Sequence, residues 1–380
     1  MAKDQPKFLA VLPWLRLAEE IEVGPFTFWR WPKDRNKYVN KPLIGKIEDT
    51  LHAHFRETGY SFKSKKWSLD PCKSLCIASH RKRYLKRGLW FKEEDFECFR
   101  MAVDSLCLST LFQTDIVRTS IESQKPTISY IRSYNNYTDF NWHGIQLGTE
   151  VTARQLRTRY GSRLIGEFPP IPVIKPRECT DDEVKGDDSL LSSLGKLLKS
   201  PLNTFTRRIF RALAQFNSAY TDYPLGSILA EVVILATAFE ILLDIRKRNK
   251  TEELSQKIEE LFAKNQQIQE PDTGKSWKVY WMRQFYRLRN KVAHGKEIHP
   301  EDLDWTTNPY AGRHMEIAIY IFRLVLMKLL VRRGIHEETD LDIYQSNKLD
   351  EFLSTEMESF PRETNLDFVS WQAEKQFGSD

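Results

Sequence analysis

The chain has 380 residues, 41% hydrophobic and 12% aromatic, with a formal net charge of +5. That composition supplies enough apolar side chains for one or two buried cores and excludes disorder throughout. Five cysteines, an odd number in so long a chain, argue against a disulfide framework and for a reducing, cytoplasmic setting.

The opening MAKDQPKFLAVLPW carries Asp4 near its start and Pro13 inside a short apolar run, which is not the pattern of an export signal. Aromatic and β-branched runs over 8–14 and 23–31 read as strands. Segments 42–58 and 93–114 have helical spacing. In the second, Phe96, Phe99, Val103, Leu106, Cys107 and Leu111 crowd one side. Further strands are expected over 127–132 and 145–147. Residues 1–180 are therefore read as a mixed α/β domain that senses or binds a partner.

Two features of this region concern ligands. Arg81, Lys82, Arg83, Lys86 and Arg87 form a basic run with Trp90 close by. Such a run could bind RNA through phosphate contacts and stacking, and a solvated loop is the plainer alternative. Cys72, Cys76 and His80, with Cys98 or Cys107, could hold zinc. The spacing is not one of the usual structural patterns, so buried free thiols are the simpler reading and no metal is assigned.

Pro169, Pro170, Pro172 and Pro176 make a stiff, extended connector, and the domain boundary is placed there. After it the chain reads as helix. Segment 188–199 is short. Ser200-Pro201 looks like a cap followed by proline at the first helical position, opening a helix to about Tyr220. Residues 225–246 are apolar nearly all round, as for a central buried helix. The apolar stretch from Ile228 to Leu243 contains Glu231 and Glu240 and is shorter than the ~20 residues that cross a bilayer, so no membrane association is expected. Helices follow over 251–264, 277–293 and 313–333. The expected fold is thus α+β, with an all-helical bundle over 186–335 and an acidic tail over 336–380.

Charge is distributed unevenly. The segment 336–380 holds 12 acidic and 3 basic residues, a net of −9 that leaves +14 on residues 1–335. A basic body suits a polyanion such as nucleic acid. The tail also carries apolar residues, among them Ile343, Tyr344, Phe352 and Leu353, so it can dock rather than dangle.

The chemistry concentrates in FYRLRNKVAHGKEI, residues 285–298. At about 100° per residue, Trp277, Trp281, Phe285, Leu288 and Val292 form one apolar stripe. Arg289 lies about 80° from its centre, at the edge, while Arg287 and Arg283 lie farther round toward solvent. Arg289 is therefore the arginine suited to a partly buried task. His294 is five residues on and would not share its face in a continuous helix. Gly295 is a natural terminator, so the helix should end near His294 and let the ring swing back. Glu240, a carboxylate in an otherwise apolar helix, needs a cation, and Arg289 is the expected partner. Merely holding the bundle together would require the same pair.

The string Arg289-Asn290-Lys291-Val292-Ala293-His294-Gly295 at a helix end, with ILATAFEILLDI about fifty residues upstream, resembles the signature of the HEPN superfamily, and within it the Apea-like prokaryotic proteins. The resemblance covers about 135 residues, and 1–180 resemble no family. It implies a metal-independent endoribonuclease without a cofactor, acting as a toxin or antiviral effector in bacterial defence. Arg289 and His294 would be catalytic and Asn290 a polar helper. The chemistry is sound: a histidine can move the proton of the ribose 2′-OH or of the leaving oxygen, and an arginine fork suits the phosphate. Acid–base cleavage uses two groups, and one motif supplies one histidine. A homodimer through 200–335 would join two motifs across a shared cleft. A phage-derived trigger or an inhibitor protein is a further expected partner. The alternative is a non-catalytic module that recognises nucleic acid or a phage protein.

Overall fold

The run FTFWRW is aromatic at alternate and adjacent positions, which suits a strand covered on both faces. A computed structural model of the chain describes residues 8–12, 15, 17–39, 41–57, 75–80, 93–110, 142–147, 151–158, 161–164, 185–220, 228–246, 249–263, 274, 276–305 and 314–358. The fold is α+β. It divides into two units, one drawn from 1–114 and 129–226, the other from 115–128 and 227–380.

In the first unit the described strands are β1 (Phe8–Leu12), β2 (Ile21–Val23), β3 (Phe26–Trp31), β4 (Leu75–His80), β5 (Trp142–Leu147), β6 (Val151–Thr158) and β7 (Gly161–Leu164). They form one antiparallel sheet in the order β2-β3-β4-β1-β5-β6-β7. Both faces of β3 are covered. Phe26 and Phe28 meet Phe99 of α3 (Glu93–Thr110), with ring centroids 5.1 and 6.2 Å apart. On the other face Trp29 stacks on Tyr38 of the short helix α1 (Arg35–Tyr38) at 4.9 Å, and its indole nitrogen donates to Ser79 Oγ at 3.2 Å. Helix α2 (Lys41–Glu57) packs on β6. Strand β4 was not anticipated from the sequence, and the strand expected over 127–132 lies outside the described residues.

Helices α4 (Asp188–Lys199) and α5 (Thr204–Ala219) belong to this first unit rather than to the bundle. The β2–β3 turn explains why. Gly24 has φ +57, and a Cβ there would sit 2.7 Å from Leu198 Cβ, so only glycine admits α4 that close. Asn217 of α5 donates to the Asp104 carbonyl at 3.0 Å. The unit therefore extends past the proline-rich connector. The cap is also corrected. Ser200 closes α4, and α5 starts at Asn203, whose side chain accepts from Thr206 N–H at 2.9 Å.

The second unit holds α6 (Ile228–Leu242), α7 (Lys250–Phe262), α8 (Trp277–Ala293), a 3-10 turn at Pro300–Leu303, α9 (His314–Arg332) and α10 (Asp340–Glu358). Trp277, Trp281, Phe285 and Leu288 of α8 are buried as their spacing requires. Phe239 of α6 packs against Trp281, Phe285 and Phe322, with centroids 6.1, 6.2 and 5.4 Å away. Lys278, Val279, Met282 and Tyr286 are buried too, so α8 is covered on more than the one anticipated side: α6, α7 and α10 all pack on it. His314 is enclosed by the rings of Trp281, Phe285 and Trp305 at 6.0, 6.1 and 5.9 Å. Burial pulls its imidazole down to about 3.

The acidic tail is largely structural as far as it is described. Lys278 of α8 is 1% exposed and Asp350 of α10 is 3% exposed. They form an ion pair, and Lys278 Nζ also donates to the Ser346 carbonyl at 2.9 Å. Asp342 accepts from Thr339 and meets His336 Nε2 at 3.0 Å, with Arg323 at 3.8 Å. Residues 359–380 lie outside the described part. Among the described residues no helix is long and apolar enough to cross a membrane.

Candidate active site

Helix α6 and helix α8 bring the site together, and the ends of both are set by the same local chemistry. At the end of α6, Asp244 takes φ +54, its N–H bonds to the Ile241 carbonyl, and Ile245 N–H bonds to the Glu240 carbonyl at 2.9 Å. At the end of α8, Gly295 takes φ +62, its N–H bonds to the Val292 carbonyl at 3.1 Å, and Lys296 N–H bonds to the Lys291 carbonyl at 3.0 Å. Both are Schellman turns, which satisfy the last carbonyls of a helix through a left-handed residue. Glu240 therefore sits in the final turn of α6. The second turn places His294 at the helix cap, where the sequence had put it, exposed to solvent.

Glu240 is the hub. Its side chain is 12% exposed and that of Arg289 21%. One carboxylate oxygen, Oε1, accepts a short hydrogen bond from the Tyr286 hydroxyl, and the other, Oε2, accepts from Lys250 Nζ at 2.5 Å. Arg289 Nη2 lies 3.6 Å from Oε1. That is an ion pair but is longer than a hydrogen bond. The guanidinium also lies over the Tyr286 ring, 5.3 Å from its centroid. Burial, and then the hydrogen bond to Glu240, push the Tyr286 phenol well above its usual range. Arg289 Nη1 donates to Asn290 Oδ1 at 3.1 Å, while its Nε–H is buried without a hydrogen-bond partner.

The expected pairing of Arg289 with Glu240 is thus present as a charge contact, with much of the arginine's donor capacity left over. Asn290 joins the same group. His294 does not: among the described residues no hydrogen bond or ion pair links its ring to Arg289 or Glu240. Lys291 turns the other way to pair with Asp302 at 2.5 Å. Burial pushes the Asp302 carboxyl up, but Lys291 and the His299 N–H outweigh it and hold the group below the usual carboxylate range. This tie fixes the segment that follows His294 against the end of α8.

Two residues of the cluster escaped the sequence reading. Tyr286 precedes Arg289 by three residues, a spacing that puts both on one face, so it was legible. Lys250 reaches Glu240 only because the chain reverses at Asp244, and nothing in the sequence pattern marked that reversal. Arg283, expected in solvent, is half-buried and bonded to Glu252 and Ser255 of α7, because α7 covers a side of α8 that helical periodicity alone left open. Arg287 is exposed, as expected.

The basic run of Arg81, Lys82, Arg83, Lys86 and Arg87 lies outside the described residues, as does Cys72. Cys76 and Cys107 are buried, and burial pushes the Cys76 thiol up. Among the described residues no three or more His, Cys, Asp or Glu side chains gather as a metal site. Comparison of the chain with protein-family models, with curated proteins and with solved structures returns no match.

Proposed function

We propose that the helical unit is a HEPN-type endoribonuclease that cleaves RNA without a metal, in which Arg289 grips the scissile phosphate and His294 moves the proton. The observation that carries this reading is the state of Arg289. An arginine paired with a carboxylate frequently closes on it with two parallel hydrogen bonds. Here Nη2 stands off at 3.6 Å and Nε–H is unsatisfied. A half-buried guanidinium in that condition is poised for an anion that is not part of the protein.

His294 follows on the same helix. Five residues along α8 correspond to roughly 7.5 Å of rise, the scale of one nucleotide step. Asn290, already bonded to Arg289, would steady the phosphate. The ring of His294, open to solvent at the helix cap, can reach a substrate lying along the end of α8. A second proton-transfer group would come from a second copy of the chain, paired two-fold so that two Arg289–His294 sets line one cleft. The basic charge outside the tail draws RNA to the protein. In a bacterial cytoplasm such an enzyme would act as a defence toxin, released by a phage-derived trigger or held by an inhibitor protein.

The test is incubation of purified protein with total cellular RNA, with and without EDTA. Cleavage should survive chelation and disappear in Arg289→Ala and His294→Ala, both of which should unfold at temperatures close to the wild type. Metal-dependent cleavage, or binding of RNA with no cleavage, would replace this reading with a metallonuclease or a regulatory module respectively. Mixing Arg289→Ala with His294→Ala chains tests the shared cleft. Light scattering that shows a monomer cleaving at full rate would exclude it.

A further inference from the structure

The Glu240 carboxylate lies within reach of Arg289 and would occupy the donors proposed for phosphate if it could close on them. In the structure it does not, and its other partners explain why. The Tyr286 hydroxyl bonds the same oxygen, Oε1, that faces Arg289 Nη2, and Lys250 Nζ occupies Oε2. Held by one bond on each oxygen, the carboxylate stays 3.6 Å from Nη2, and closing on the guanidinium as a parallel pair would mean moving off those bonds.

We infer that Tyr286 and Lys250 are positioning residues that keep Glu240 engaged and thereby hold Arg289 open for an anionic phosphate group. The inference rests on the proposed use of Arg289 toward a phosphate. It assigns the tyrosine a role through its hydroxyl that packing of its ring does not supply. The ring lies under the guanidinium; the hydroxyl holds Oε1 in place, short of hydrogen-bond distance from it. Glu240 then acts at a distance, as a counter-charge that keeps the half-buried cation in place without consuming its donors.

The consequence runs against the usual expectation for a supporting residue. Removing the hydroxyl should allow Glu240 to capture Arg289, and removing the Glu240 charge as well should release it again. The experiment follows the Arg289 Nε–H signal by NMR, assigned by its loss in Arg289→Lys, during titration with inorganic phosphate. Cleavage of RNA is measured in parallel. Tyr286→Phe keeps the ring and should weaken phosphate binding about tenfold, the scale of coupling between contacting residues. Tyr286→Phe combined with Glu240→Gln should recover most of that loss. Lys250→Met, at a more exposed position, should weaken binding in the same direction and serves if Tyr286→Phe does not fold.

A Tyr286→Phe protein that binds phosphate like the wild type overturns the inference, as does a double variant no better than the single one or a wild-type signal indifferent to phosphate. A tyrosine that only fills space predicts no recovery on adding Glu240→Gln. If the phosphate pattern appears and wild-type protein cleaves no RNA, the nuclease reading falls and the positioning role stands.

Discussion

Two of the ion pairs on helix α8, Lys278–Asp350 and Arg289–Glu240, lie about three turns apart and are opposites. Lys278 is sealed from water, closes on Asp350, also bonds the Ser346 carbonyl, and lies 5.2 Å from the centroid of the Phe262 ring. Burial pulls the lysine down and pushes the carboxyl up, and their mutual attraction opposes both shifts. Arg289 is one-fifth exposed, stands off from Glu240, and keeps an unsatisfied donor. One helix thus contains a closed pair that fastens an element and an open pair that leaves a cation available. Burial alone does not tell the two apart. What separates them is whether the carboxylate comes within hydrogen-bond distance of the cation or is held short of it.

The largest effect should come from breaking the closed pair. Lys278→Met or Asp350→Asn leaves a buried group without its partner, which costs about 3–5 kcal/mol. Lys278→Met with Asp350→Leu should recover most of that in urea unfolding. A single variant as stable as the wild type would mean that α10 is not fastened by this pair. Breaking the open pair should leave stability nearly intact and remove function. Arg289→Ala should slow RNA cleavage at least ~100-fold, the scale of losing one charge-stabilising donor, while the urea midpoint moves little. Stability falling as far as in Lys278→Met would make Arg289 structural after all.

A third variant sharpens the contrast through pH. His314 is folded in its neutral form, with its pKa lowered from 6.5 to about 3. Between those values the unfolded chain binds the proton and the folded chain does not. Stability is therefore complete above pH 6.5 and lost as pH falls through the window, by up to about 1.4 kcal/mol per pH unit. His314→Phe should flatten that dependence in unfolding curves taken from pH 7 to 4. Equal slopes would assign acid sensitivity to other groups. The next effect is smaller: Gly295→Ala places a side chain at φ +62 and should cost about 1 kcal/mol, with a loss of cleavage if the helix end positions His294. Arg287→Ala, at an exposed position, should change stability by no more than about 0.5 kcal/mol and leave cleavage unchanged.

The site was more legible than the architecture around it. Periodicity placed Arg289 at the edge of the buried stripe, and Gly295 marked the helix end that caps at His294, because both signals are local. Glu240 was legible as a charge in an apolar helix. Lys250 was not, since it depends on a reversal at Asp244, a residue that rarely adopts positive φ. The tail illustrates the same limit. Its apolar residues marked it as able to dock, but nothing local marked Asp342 and Asp350 as inward-facing, because their partners, Arg323, His336 and Lys278, lie outside α10. Helices α4 and α5 read as bundle members from their spacing. Their amphipathic faces are satisfied instead by the sheet unit, through the Gly24 turn and Asp104, and a hydrophobic face does not record which neighbour covers it.

The anchoring of α10 also bears on when the helical unit is completed. Residues 285–294 emerge from the ribosome well before Asp350 does. Until α10 arrives, Lys278 lacks Asp350 and the side of α8 that α10 covers is open. At about 5–20 residues per second, that delay lasts several seconds, during which the nascent chain lies beside the RNA-rich machinery that makes it. A bundle completed only by its last described helix leaves Lys278 without its counter-charge throughout that interval.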